Sequence, residues 1–135
     1  MNDDHDPWND PTVRHPRAQA LMHASLWDCV NELAPFGSDE GADAYVEYRS
    51  WRDEHPGENL TACIAWIGDE SNYPDAFTFD ATIIATVLGQ LIDEGRIEPS
   101  VKPAARAAIA RQLEEADDEE RRVLLNHALR AVESG

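Results

Sequence analysis

One segment limits the possible folds more than any other: residues 81–95, ATIIATVLGQLIDEG. Ile83, Ile84, Val87, Leu88, Leu91 and Ile92 recur at helical spacing and form a wide apolar stripe, while Ala85, Thr86 and Gly89 keep the remaining side small. A helix apolar on most sides has to lie in the middle of a fold, with close neighbours on its small side. Thr78 or Asp80 is expected to cap its start, and Gly95 to end it.

The rest of the chain supplies helices to surround it. From Pro16, a good first helical residue, Met22, Leu26, Cys29, Val30 and Leu33 share one face before Pro35. Ser38 is a favourable N-cap for a helix running to about His55, ended by Pro56 and Gly57. Leu60, Cys63, Ile64 and Ile67 keep helical intervals up to Gly68, although a run this short also suits a buried strand. After Ser100, an alanine-rich face of Ala105, Ala108, Ile109, Gln112, Leu113 and Ala116 allows close helix approach. Asp117 or Asp118 caps a last helix that turns Leu124 or Leu125, Ala128, Leu129 and Val132 inward. The expected fold is all-α, a compact single-domain bundle of five or six helices with mostly antiparallel neighbours. Residues 1–15, acidic and proline-containing, read as an arm anchored by Trp8, and residues 16–135 as the helical domain.

Charge restricts function more than composition does. Twenty-seven acids against eleven Lys and Arg give a net charge of −16. Such a surface repels phosphate backbones, so no direct nucleic-acid binding is expected, and it steers a basic protein inward. No stretch approaches the length of a membrane span, and the start of the chain lacks the apolar core of a signal peptide. Cytoplasmic localisation without membrane association follows as the expectation. Cys29 and Cys63 fall in apolar patterns without CxxC spacing and read as buried hydrophobes. Between Arg52 and Arg96 the sequence holds no Lys or Arg but carries nine acids, among them Asp80, Asp93 and Glu94, which are expected to face water or a cation from elsewhere. Arg96, Lys102, Arg106 and Arg111 form a local basic run able to neutralise part of that acid internally.

The densest chemistry lies at residues 37–55, GSDEGADAYVEYRSWRDEH. Projected at about 100° per residue, Asp39, Glu40, Asp43, Glu47, Ser50 and Glu54 fall in one arc, opposite Gly41, Ala44, Tyr45 and Tyr48, with Trp51 on the border. Like charges at i,i+4, Asp39 with Asp43 and Asp43 with Glu47, cost a few tenths of a kcal/mol each. A rim of acids beside a large aromatic suits a contact surface for a basic partner. The candidate binding residues are therefore Asp39, Glu40, Asp43, Glu47, Trp51 and Glu54, with Trp51, and Tyr73 or Trp8, as aromatic anchors.

Other chemistries lack their signatures. A loop begun at Asp69 fails the EF-hand pattern at Pro74 and Asp80, and no HExxH or ExxH motif, phosphate loop or glycine-flanked serine is present. Glu40 with Asp43 and Glu115 with Asp118 make only a weak set of paired carboxylates for a metal-dependent hydrolase. The expectation is a non-enzymatic, cofactor-free and metal-free binding module, an inhibitor or immunity-type bacterial protein that neutralises a basic toxin, nuclease or effector. A structural or oligomerisation subunit, for example a homodimer, is the second expectation, and a carboxylate-metal hydrolase the third.

Overall fold

The computed structural model describes residues 15–27, 34–37, 39–69 and 76–135. Among these lie six α-helices and two short 3-10 turns, and no strand. They are α1 (Pro16–Leu21), a turn at Ala24–Trp27, α2 (Asp39–Glu54), α3 (Leu60–Asp69), α4 (Ala76–Glu94), a turn at Pro99–Val101, α5 (Lys102–Glu115) and α6 (Glu119–Ser134). The segment open to a helical or a strand reading is thus the helix α3.

Helix α4 is the axis of the bundle, in contact with α1, α2, α3, α5 and α6. Every residue from 82 to 92 is buried, because a helix apolar nearly all round can be stable only when enclosed. Enclosure of Leu88, Leu91 and Ile92 stabilises the fold by about 1.5–3 kcal/mol per side chain. Gly89 makes one contact possible: a Cβ there would lie 3.0 Å from Cδ1 of Tyr45 and 3.4 Å from Cδ2 of Tyr48. Its bare backbone lets both tyrosines of α2 lie flush on α4.

The pairs Asp80 with Arg111, Arg106 with Glu133, and Gln112 with Arg121 show that α5 runs antiparallel to both α4 and α6. Ala105, Ala108, Ile109 and Gln112 form the buried face of α5. Leu124, Leu125, Ala128, Ala131 and Val132 form that of α6, so Ala131 joins the core beyond the expected set and Leu129 is half-buried. Asp118 caps α6 by accepting from Glu120 N at 2.9 Å.

Two expectations about helix ends are corrected. The first helix does not continue to residue 35: α1 stops at Leu21, where Met22 turns extended (φ −96°, ψ 124°). His23 Nδ1 then accepts the backbone N–H of Ser25 at 3.1 Å, a local side-chain turn that competes with helix and starts the 3-10 turn. The break buries Met22, Leu26 and Trp27 together; Cys29, Val30 and Leu33 lie outside the described residues. Likewise α4 begins at Ala76, four residues before Asp80, which is no cap but a buried mid-helix carboxylate neutralised by Arg111. The caps expected of Ser38, and the arm with Trp8, also lie outside the described residues.

Gly95 ends α4 in the left-handed region (φ +76°), and a Cβ there would fall 2.2 Å from the His15 ring. Residues 15–17 close this corner. His15 N donates to Ile92 O at 3.0 Å, and Arg17 donates to Gly95 O and Ser134 O, both at 3.1 Å.

Candidate functional site

Helix α2 separates its residues into two faces of opposite character. On the inner face Gly41, Ala44, Tyr45, Tyr48 and Trp51 are buried. Between this face and the C-terminal end of α4 lies a dense polar network. Tyr45 OH donates to Asp93 Oδ1 (2.7 Å) and Arg49 Nε to Asp93 Oδ2 (3.1 Å). Tyr48 OH donates to Glu94 Oε2 (2.5 Å), which also accepts from Arg52 Nε (2.9 Å). Arg52 Nη1 then donates to the carbonyls of His55 (3.2 Å) and Glu58 (2.7 Å), tying down the connection to α3.

The network continues through Glu98, buried at 6 % exposure. Its Oε1 accepts Leu60 N at 2.8 Å, satisfying a free N–H at the start of α3. Its Oε2 accepts from Gln90 Nε2 at 2.9 Å, and its backbone N–H donates to Gln90 Oε1 at 3.0 Å. Arg96 approaches both Glu94 and Glu98 at 3.4 Å. A buried carboxylate is tolerable only when paired and hydrogen-bonded, and here both conditions hold. Burial pushes the Asp93 carboxyl above its usual range, against the pull of Tyr45 and Arg49. The Tyr48 hydroxyl is pushed far up, by burial first and by Glu94 second, so it stays a donor.

Three of the acids between Arg52 and Arg96 meet the expectation of something positive: Asp80, Asp93 and Glu94 are each held by an arginine from outside that interval. The basic run 96–111 neutralises internally as expected: Arg96 on Glu94 and Glu98, Arg106 on Glu133 at 3.0 Å, and Arg111 on Asp80 at 2.7 Å.

The outer face of α2 is different. Asp43, Val46, Glu47, Ser50, Asp53 and Glu54 are all exposed, and Asp39 and Glu40 occupy the first two positions of the helix. Val46 is 64 % exposed, an apolar side chain on the acidic face. Asp43, Glu47, Asp53 and Glu54 make no ion pair among the described residues. Trp51, placed at the border by projection, is 5 % exposed and covered by its own chain. Its ring stacks on His55 at 4.7 Å, with the Arg52 guanidinium 5.2 Å from its centre.

Another tryptophan is exposed. Trp66, 42 % exposed, lies one turn beyond the buried Cys63 of α3. Cys63 and the acidic face are within electrostatic reach of each other: burial pushes the thiol up to about 12, Arg52 pulls it down, and Glu47 pushes it further up. The helical projection contained the signal for Val46, which falls between Asp53 and Asp39, and for Trp66, on the side of its helix away from Leu60 and Ile64. It held no signal for the partners Asp93, Glu94, Gln90 and Glu98, which approach from across the fold.

Of the paired carboxylates, Glu115 and Asp118 are exposed at the α5–α6 turn, and Asp118 is engaged as a cap. Among the described residues no three His, Cys, Asp or Glu side chains gather to hold a metal ion. No described helix is long and apolar enough to cross a membrane. Tyr73 lies outside the described residues. Compared with known proteins, the chain matches no family model, no curated protein and no solved structure.

Proposed function

We propose that this is a protein-binding module that captures a basic protein on the outer face of α2, as an inhibitor or immunity-type protein neutralises a nuclease- or toxin-like partner in the bacterial cytoplasm. The observation that carries the reading is where the cations go. Of the eleven Lys and Arg residues, Arg49, Arg52, Arg96, Arg106 and Arg111 hold carboxylates within the fold. Arg17, Lys102 and Arg122 hold backbone carbonyls, and Arg121 holds Gln112. None of these is directed to Asp43, Glu47, Asp53 or Glu54, so the outer face keeps its negative field for an incoming partner.

In this reading Asp39, Glu40, Asp43, Glu47 and Glu54 steer the encounter. The desolvated contact falls to the exposed Val46 and Trp66, because Trp51 is already buried within the chain. The partner is basic protein rather than nucleic acid or membrane, and the protein carries out no reaction of its own.

The test is calorimetry with the partner that co-purifies from native cells, comparing wild type with the Asp43→Lys/Glu47→Lys double variant. The proposal expects affinity to fall at least tenfold, about 1.4 kcal/mol, at low salt. Equal affinity would overturn it. A partner that proves to be a second copy of the chain would support an oligomerisation role in its place.

A further inference from the structure

The described residues 15–27, with Asp28 next in sequence, have His15, Arg17 and His23 as their ionisable side chains. The segment is fastened to the bundle at two ends with opposite electrostatics. At the first end His15 N and the Arg17 guanidinium bind Ile92, Gly95 and Ser134 carbonyls. These carbonyls close α4 and α6, where the negative end of the helix dipole favours positive charge. The guanidinium bonds of Arg17 to the Gly95 and Ser134 carbonyls do not depend on pH, although His15 Nδ1 also accepts Arg17 N at 3.1 Å.

At the second end the His23 ring stacks on His127 of α6, with centroids 3.7 Å apart and planes 11° apart. His23 Nδ1 accepts from Ser25 N at 3.1 Å and lies 2.9 Å from Ser25 Oγ. An imidazolium carries a proton on both nitrogens and accepts nothing, so the turn at 23–25 requires neutral His23 with its proton on Nε2. Charge on both stacked rings would set them in mutual repulsion.

Among the described residues the surroundings offer little to relieve that requirement; Asp28, next in sequence after Trp27, lies outside them. On α6, Arg130 lies one turn past His127, while Glu119 and Glu120 belong to the first turn, about two turns before it. Residues 22–27 add no other ionisable group, and on α1 Arg17 is bound to carbonyls. On α5 Arg106 is paired with Glu133 of α6, and Asp80 of α4 with Arg111 of α5. The His127 pKa is lowered by burial first, then by His23 and Arg130.

We propose that the His23–His127 stack is a pH-sensitive latch, which closes residues 22–27 onto α6 when neutral and loosens that end on protonation while the Arg17 end stays bound. The sign follows from linkage. A histidine whose pKa is lowered in the closed state takes up its proton more readily once open, so closure is fully favoured above the ordinary histidine value near 6.5 and weakens as pH falls below it. Buried Met22, Leu26 and Trp27 oppose release, so the outcome is a larger open population rather than detachment.

The experiment is amide hydrogen exchange by NMR on the full chain at about pH 7.5 and about pH 5, scored as protection factors for Ser25, Leu26 and Trp27 against the α4 core. Wild type is expected to lose protection at these three amides by roughly three- to tenfold at the lower pH, with α4 unchanged. His23→Asn keeps an oxygen acceptor for Ser25 N without titrating and is expected to abolish the pH step; His127→Gln removes only the second charge and is expected to reduce it. Equal protection at both pH values in wild type, or a step that survives in His23→Asn, would overturn the latch.

Discussion

Both faces of α2 involve carboxylates, those of α4 on the inner side and its own on the outer, and they differ in what surrounds them. On the inner face Tyr45, Tyr48, Arg49 and Arg52 meet Asp93 and Glu94, and each carboxylate there is bonded by at least one hydroxyl and one guanidinium. On the outer face Asp43, Glu47, Asp53 and Glu54 meet no cation among the described residues. Net charge alone does not distinguish the two. What does is the commitment of the arginines, which serve the interior and leave one acidic surface without an ion pair among the described residues.

If that division holds, variants of the inner network should damage the fold and variants of the outer face should not. The largest effect is expected for Arg52→Met, which takes from Glu94 its closest guanidinium and frees the carbonyls of residues 55 and 58. Chemical denaturation should show a loss of about 3 kcal/mol. Arg111→Ala leaves Asp80, whose side chain is 4 % exposed, without its partner. Because Arg111 is itself half exposed, the expected loss is smaller, about 2 kcal/mol by the same measurement. In the opposite direction, Thr86→Val should stabilise by about 1 kcal/mol, because Thr86 Oγ1 is buried with no partner among the described residues.

Asp93 supplies a test by pH. Its folded pKa is raised, so its contribution is most favourable below the unfolded carboxylate value and is lost as pH rises through the folded value. Stability measured from about pH 3 to about pH 7 should therefore show a downward contribution from Asp93 that Asp93→Asn removes. A wild type and variant with the same pH profile would contradict the burial assigned to this side chain. The smallest effect is expected outside: Asp43→Lys/Glu47→Lys should leave stability within about 0.5 kcal/mol of wild type.

The helices were largely legible because their evidence is local. The 81–92 stripe, the stops at Gly57 and Gly95, the Asp118 cap and the alanine face of α5 all follow from spacing and from residues that suit particular backbone positions. The failures share a physical cause: the deciding partner is distant in sequence, or a side chain overrides the periodic pattern. Asp80 read as a cap because its neutraliser, Arg111, lies on another helix. The break after Leu21 depends on a histidine nitrogen capturing Ser25 N, which hydrophobic spacing does not report. Trp51 was on the border in projection, and its burial is decided by its packing within the folded chain, including its stack on His55. The division of α2 into a wet acidic arc and a tyrosine face was visible from periodicity, whereas the network beneath it was not.

The account rests most on the outer face of α2 acting on a partner rather than on the fold. Stopped-flow association with the co-purified partner, for wild type and Asp43→Lys/Glu47→Lys at about 20 mM and about 500 mM salt, addresses that directly. The account predicts an on-rate at least tenfold slower for the variant at low salt, converging with wild type at high salt, with unchanged unfolding midpoints. Equal on-rates at low salt, or a slowdown that accompanies a lower unfolding midpoint, would contradict it.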